Sequence, residues 1–525
     1  MSLLLIISFV IMLFFAFMQV KSILFWLYLW QLKNYHFGRF KSHFSTAKGR
    51  GIFLNKLFFL KLLCIPLFFV GLGYNTVIPL LLSVLIILIE GGISFKKFVS
   101  KSVIAPKLTK KAIVLLAANL IVFSTAAIYA SNVSLEAFLL LSTLLILLNI
   151  LTPIIVSLIV FLFQPITVFL KFRIIRRAKK KRAELKNLKV IGITGSYGKS
   201  STKEFLFSIL SSKFKNVKKT PKNINSELGI SEFINNELNK DDEYFICEMG
   251  AYNKGGIKLL CQIADPQIGI LTGINNQHLS TFGSQENIVK AKFELVEYVK
   301  DFSVLNWDNF LIQNHPTHDK KVYKCSYKDQ SADGFAKDIK IFKDHLEFIV
   351  AIDGKEEEMR ANVLGKQNIS NLLLAIFVAC KLGLSLEEIK KGLEKISPKE
   401  GGMEIIGNYI DATYSSNANG VIAHLEFLEC WKGRRAIVMP CLIELGGEAK
   451  RIHEEIGKKI LDVCDLGIIT SKDYLKDIKK GGGDKIIYIN NPDKIIEKIK
   501  GFQGEDDIVL LESRIPKRII KEIKK

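Results

Sequence analysis

Apolar residues crowd into the first third of this chain. Five stretches, near 2–20, 57–73, 75–93, 112–130 and 135–163, are almost free of charge, and each approaches the roughly 20 residues an α-helix needs to cross a bilayer. After residue 170 the pattern changes to alternating apolar and charged segments, as in a water-soluble core. A mean hydropathy of +0.25 agrees with membrane segments. The expectation is an α-helical membrane domain over 1–170, followed by α/β units for which a chain of 525 residues has ample room.

The first stretch has the length of a signal peptide but neither a basic leading segment nor a small-residue cleavage site, so it reads as a retained helix. Lys33, Arg39, Lys41, Lys48, Arg50 and Lys56 follow it, and Lys96, Lys97, Lys101, Lys107, Lys110 and Lys111 follow the third stretch. The connections at 71–75 and 131–134 contain neither Lys nor Arg. Five spans with the N-terminus outside place both basic loops, and everything after residue 170, in the cytoplasm, where ATP is. The expected location is the cell membrane, multi-pass, with cytoplasmic catalytic domains.

A formal net charge of +22 could point to nucleic acid. Much of the excess, however, flanks the apolar stretches, where it sets topology and meets anionic lipid. The partner expected from charge is therefore membrane lipid and no nucleic acid. RRAKKKR at 176–182 reads in the same way, as the stop within a basic juxtamembrane linker, 171–188. Eight scattered cysteines without a CxxC pair indicate neither a disulfide framework nor a zinc site and fit a reducing compartment. Lys61, Glu90 and Glu136, all read as lying near span ends, are too few for an ATP-driven transporter.

Lys189–Thr194 (KVIGIT) reads as a short buried strand, Gly195–Gly198 as a tight turn and Lys199 onward as a helix start. Strand, glycine loop and helix together make a phosphate-binding geometry. In TGSYGKSS the loop amides can surround a phosphate, Lys199 can reach the β and γ phosphates, and the Ser200 hydroxyl can ligate magnesium. The strict P-loop pattern is missed because Ile193 stands at its first glycine. Tyr244–Met249 (YFICEM) is an apolar strand that ends in Glu248, which puts a carboxylate at the carboxyl edge of a sheet, where α/β folds bind ligands.

In the helical pattern Gln285–Lys300, Lys292 has Ile288, Val289, Leu295 and Val296 as its neighbours one turn away, so it lies on the apolar face, whereas Lys290 has Glu286 and Glu294 beside it. A buried ammonium must be paired, neutral or modified.

These motifs, with NINSELG (223–229), EMGA (248–251), NNQHLSTFGS (275–284), LNWD (305–308), LGKQNISN (364–371), YIDATYSSN (409–417) and ELG (444–446) in this order, resemble the Mur ligase family, and within it the D-alanyl-D-alanine-adding ligases. The resemblance covers about 187–525. It implies a P-loop central ATPase domain over 189–401 and a Rossmann-like C-terminal domain over 402–525. It implies nucleotide binding by Thr194, Gly195, Ser196, Gly198, Lys199, Ser200, Ser201, Asn306, Asn368 and Asp411. Magnesium would be held by Ser200, Glu248 and Lys292, the last carbamylated as in several Mur ligases, and a second magnesium by His278, with Lys199, Lys292 and His278 catalytic.

Three positions depart from the family pattern: Gln367, Gly402 and Ala412. The family's UDP-sugar domain is also replaced by the apolar third. Strands near 405–411, 435–440, 466–470, 486–489 and 507–512 alternate with helical patterns in the C-terminal part, where Glu444, Gly446, His453, Glu512 and Arg514 are candidates for the cleft.

The reading is an ATP- and magnesium-dependent carbon–nitrogen ligase working through an acyl phosphate in cell-wall peptidoglycan or related envelope polymer synthesis. It would join a small amino acid or dipeptide to a muramyl-peptide-like or lipid-linked acceptor. A poly-γ-glutamate-synthase-like ligase is the alternative.

Overall fold

The computed structural model describes residues 3–44, 47–53, 55–71, 77–131, 135–277, 279–317, 321–414, 417–443 and 445–524. They form two compact units, Met1–Leu170 and Lys171–Lys525.

The N-terminal unit is helical: α1 (Leu3–Leu32), the short α2 (Phe37–His43) and α3 (Ala47–Phe53), α4 (Lys56–Gly71), α5 (Val77–Val99), α6 (Lys110–Ser131) and α7 (Leu135–Leu162). Long helices thus lie over all five apolar stretches. α1 packs against α5, α6 and α7, and α4 against α5 and α7. Met18, Ile87 and Ile146 share one buried cluster, and Trp30, Leu115 and Val156 another. Leu81, Ile121, Leu158 and Leu162 are exposed on the outside of the bundle. Helices apolar on every side need an apolar surrounding as well as an apolar core. Among the described residues, Phe9–Leu32 and Ser142–Leu162 are both long and apolar enough to cross a membrane.

The helix α8 (Gln164–Glu184) runs through the boundary at residue 170. Its second half is not only a basic linker. Ile175 and Ala178 join a core with Ile230, Ile234 and Phe245. Arg182 is buried and donates to the carbonyls of Ala264 (2.8 Å), Leu185 (2.9 Å), Leu188 (3.2 Å) and Asp265 (3.2 Å). One charge of the RRAKKKR run is therefore structural, because a planar guanidinium can satisfy several converging carbonyls at once.

The second unit holds two sheets. The first contains β1 (Lys189–Thr194), β2 (Val217–Lys219), β3 (Tyr244–Glu248), β4 (Ile268–Leu271), β5 (Phe302–Asn306), β6 (Val322–Ser326), β7 (Gly334–Ile341), β8 (Leu346–Ile352) and β9 (Lys355–Ala361), in the order β2-β3-β1-β4-β5-β6-β7-β8-β9. Pairing is parallel from β2 to β7 and antiparallel for β8 and β9. The uninterrupted apolar runs of β1, β3 and β4 suit strands covered on both faces. One cover is α9 (Lys199–Leu210) beside the Asn368–Lys381 helix, whose residues Ile369 and Leu372–Ala379 are all fully buried.

The second sheet contains β10 (Glu404–Ile406), β11 (Tyr409–Ala412), β12 (Arg435–Met439), β13 (Leu466–Ile469), β14 (Ile486–Tyr488) and β15 (Ile508–Glu512), ordered β10-β11-β15-β12-β13-β14. Only β10 is antiparallel. The single strand expected at 405–411 is a hairpin of β10 and β11, because Gly407 and Asn408 make a two-residue turn.

Replacing Arg182 by Met should strand several buried carbonyls at about 1–3 kcal/mol each. Urea unfolding of the detergent-solubilised chain should show roughly 3 kcal/mol of lost stability, and a loss below 1 kcal/mol would refute the anchoring role.

Candidate active site

The phosphate loop leaves the carboxyl end of β1 in the middle of the parallel sheet, and backbone contacts with its neighbours hold it. Thr194 Oγ1 donates to the carbonyl of Met249 at 3.0 Å. The amide of Ser196 donates to the carbonyl of Gly273 at 2.6 Å. The hydroxyl of Thr272 bonds the carbonyls of Thr194 and Tyr197. Gly195 and Gly198 have φ of 154° and 80°, and a Cβ on either would strike Thr272 Oγ1 or Asn371 Oδ1. Glycine is thus required both by the backbone conformation and by the close approach of the next strand and helix. Gly198 caps α9, so that helix's free amides face the loop. Lys199 Nζ donates back to the carbonyls of Gly195 (2.7 Å) and Ser196 (3.3 Å). Ser200 and Ser201 lie in the first turn of α9.

Glu248 ends β3, adjacent to β1, and is buried. Its Oε2 accepts from Ser200 Oγ (3.0 Å) and Lys203 Nζ (3.2 Å), and its Oε1 from Asn225 Nδ2 (3.2 Å). Burial opposes ionisation, but Lys199, Lys203, Asn225 and Ser200 together outweigh it and hold the carboxyl below its ordinary range. An ionised carboxylate beside a loop hydroxyl is an oxygen set suited to magnesium, which takes one or two carboxylates plus substrate phosphates and water. Among the described residues no three His, Cys, Asp or Glu side chains converge on one point. His278 lies outside the described residues.

Lys292 is buried on the Gln285–Tyr298 helix. It lines an open cleft with Gly195, Lys199, Asn225 and Phe282. Burial pulls its ammonium down to about 7, helped by Lys199 and opposed by Glu294. Lys290 pairs with Glu286, as its surface position requires, whereas Glu294 accepts from the amides of Gly255 and Lys258.

The three residues carried over as base and ribose contacts all make internal bonds. Asn306 donates to the carbonyl of Thr272 (2.7 Å) and accepts from the amide of Asp308 (3.1 Å). Asn368 donates to the carbonyls of Leu364 (2.9 Å) and Gly401 (3.1 Å). Asp411 accepts from the amide and hydroxyl of Thr413 and pairs with Lys524 at 3.3 Å. Asn306 is linked to the loop through Thr272, and Asn368 reaches α9 through Asn371, which accepts from Thr202.

Among the C-terminal candidates, Glu444 lies outside the described residues. His453 is a core residue: Nε2 accepts from the amide of Leu442 (2.9 Å), Nδ1 bonds the carbonyl of Ala449 (2.6 Å), and the ring stacks on Tyr474. Glu512 is buried at the end of β15 and bonds His424 Nδ1 at 2.6 Å. Sequence reasoning named neither His424 nor Lys203. Both carry chemistry through a partner far away in the chain, and no spacing reveals that.

The C-terminal sheet meets this site. Asn275, whose amide reaches Ser196 Oγ at 3.2 Å, donates from its side chain to Asn417 (3.3 Å) and Asn419 (2.8 Å). Lys222 Nζ sits 3.8 Å over the Tyr414 ring. A central phosphate-loop domain faced by a second α/β domain is the arrangement of a two-lobed enzyme of the phosphate-loop class. Residues 193–379 match the family model of the Mur ligase middle domain.

The UDP-N-acetylmuramoyl-tripeptide–D-alanyl-D-alanine ligase of Bacillus subtilis is 26% identical over 342 residues, 62% of this chain and 73% of the relative. Its counterpart in Synechocystis is 30% identical over 285 residues, 52% and 59% of the two chains. The solved MurF ligase of Thermotoga maritima in complex with ADP shares the fold, with a TM-score of 0.59 and 24% identity over 67% of this chain and 83% of that one.

Between pH 7 and the ordinary lysine value of 10.5 the unfolded chain holds more protons at Lys292 than the folded one, so stability rises with pH across that window. Lys292→Met should therefore stabilise the chain most at pH 6, by several degrees in melting temperature, and progressively less toward pH 10. The measurement is thermal unfolding in carbon-dioxide-free buffer with EDTA, and a gain that does not change with pH would contradict the buried, depressed ammonium.

Proposed function

We propose that this chain is a membrane-held, ATP-dependent amide ligase of peptidoglycan or related envelope polymer synthesis. It couples an amino acid or dipeptide to a muramyl-peptide-like or lipid-linked acceptor. The observation that carries this is the meeting of the glycine loop, Lys199, Ser200 and the ionised Glu248 at one sheet edge, opposite the Asn417 and Asn419 end of the C-terminal domain. The relatives' names support the substrate class: both are UDP-N-acetylmuramoyl-tripeptide–D-alanyl-D-alanine ligases.

In this reading the acceptor carboxylate attacks the γ phosphorus of ATP, the bond from that phosphorus to the β–γ bridging oxygen breaks, and ADP leaves. The neutral amine then attacks the acyl carbon, and inorganic phosphate departs. The loop amides and Lys199 bind the β and γ phosphates and hold charge on the transferring group in line. Ser200 and Glu248 would hold magnesium, which neutralises charge on the phosphates. A lysine neutral near pH 7, as burial makes Lys292, is a nucleophile able to take up carbon dioxide, and the carbamate would add a second carboxylate to that set. His278 is assigned to a second magnesium.

The five long helices, their apolar exteriors and the basic segments after α1 and α5 support a multi-pass anchor with the catalytic unit in the cytoplasm.

Lys199→Ala should reduce ADP release by more than a hundredfold, since one lost charge contact in the transition state is worth about 3 kcal/mol or more. The assay uses detergent-solubilised protein against muramyl peptides, glutamate and D-alanyl-D-alanine. Near-normal turnover would overturn the phosphate-loop assignment. Dependence on glutamate alone would favour the poly-γ-glutamate alternative.

A further inference from the structure

Lys61 and Glu90 lie close together inside the helical bundle. Glu90 sits three residues before the end of the apolar stretch 75–93 and nine before the end of α5, which continues to Val99. Its carboxylate meets Lys61 of α4 at 2.5 Å and Lys21 of α1 at 3.4 Å. Lys61 also donates to Asn149 Oδ1 (2.7 Å). Asn149 donates to Gln19 Oε1 (2.8 Å), and Gln19 donates to Thr152 Oγ1 (2.9 Å). Gln19, Lys61, Asn149 and Thr152 are buried. Four helices thus contribute six polar side chains to one connected network within an otherwise apolar bundle.

The network is not neutral. Residues 1–170 contain two acidic residues, Glu90 and Glu136, and no aspartate. Glu136 precedes Asn149 by 13 positions on the same helix, which is roughly 20 Å along the axis. Two lysines therefore share one carboxylate, leaving one positive charge uncompensated among the described residues. A bundle held together by polar contacts alone would need only the Lys61–Glu90 pair and the amides. An extra cation in such a place is costly, and ionisable groups at membrane depth mark ligand sites by default. Lys21 is also the more open of the two lysines, at 23% side-chain exposure against 9% for Lys61. Each ammonium has three donors, and the only acceptor found for Lys21 among the described residues is Glu90.

We propose that this network is a binding site for the phosphate headgroup of an anionic lipid, entered from the side of Lys21, with Lys21 and Lys61 as the phosphate ligands and Glu90 as the carboxylate that competes with the phosphate for them. The proposal rests on the reading of the N-terminal unit as membrane-embedded. It gives that unit a recognition role beyond anchoring.

The test uses the full-length protein in phosphatidylcholine nanodiscs carrying increasing fractions of a polyprenyl monophosphate, with bound lipid counted by native mass spectrometry. Binding should saturate at one lipid per chain. Lys21→Gln should weaken it at least tenfold, and Glu90→Gln, which removes the competing carboxylate, should retain or strengthen it. Wild-type binding by a Lys21→Gln protein of unchanged helicity would overturn the proposal. So would loss of binding together with thermal stability in Glu90→Gln, the signature of a purely structural pair, or equal competition by millimolar inorganic phosphate, which would make the site one for a soluble anion. ADP release by the wild-type protein with a water-soluble muramyl peptide tests the ligase reading separately, so failure to bind lipid leaves that reading standing.

Discussion

The catalytic unit is organised around one buried charge. Glu248 can remain ionised at the end of β3 only because Lys203, Ser200 and Asn225 reach it from α9 and from the loop before the next helix. Lys203 is itself fully buried and shared with Glu204, which in turn pairs with Lys219 on β2. The carboxylate thereby ties together the neighbouring strands β1, β2 and β3 and the first two turns of the loop helix. Moving any of them would leave an uncompensated charge in the core, which is far more expensive than a lost surface ion pair.

The same edge of the sheet sets where the second domain engages. Asn275 follows β4, bonds Ser196 of the phosphate loop and reaches the cap of the Ala418–Phe427 helix. Two successive hydrogen bonds thus connect the loop to the C-terminal domain. Lys343 also pairs with Asp506 and sits over the Trp431 ring, and Leu364 packs into the core of the second domain.

The N-terminal unit obeys a different solvent rule. Its apolar residues face outward as well as inward, and Gln19, Lys61, Asn149 and Thr152 are buried and bonded among its helices, whereas Lys96, Lys97, Lys101, Lys107 and Lys110 are exposed.

Much was legible from the chain alone. Long charge-free runs, a glycine loop between a strand and a helix, and a lysine flanked at helical spacing by Ile288, Val289, Leu295 and Val296 are local patterns, and local patterns are periodic or contiguous in sequence. They located the five long helices, the phosphate loop and the buried Lys292. What the chain alone could not decide was which distant groups satisfy each buried charge. Arg182 read as one more basic residue beside a membrane, yet it is bound by carbonyls from 3 to 83 positions away. His453 read as a cleft residue, yet both its nitrogens are occupied in the core. Lys61 and Glu90 read as separate span-end residues, yet they are partners. Burial makes pairing obligatory but does not name the partner; only the packing of strands and helices brings one particular oxygen within 3 Å of one particular nitrogen.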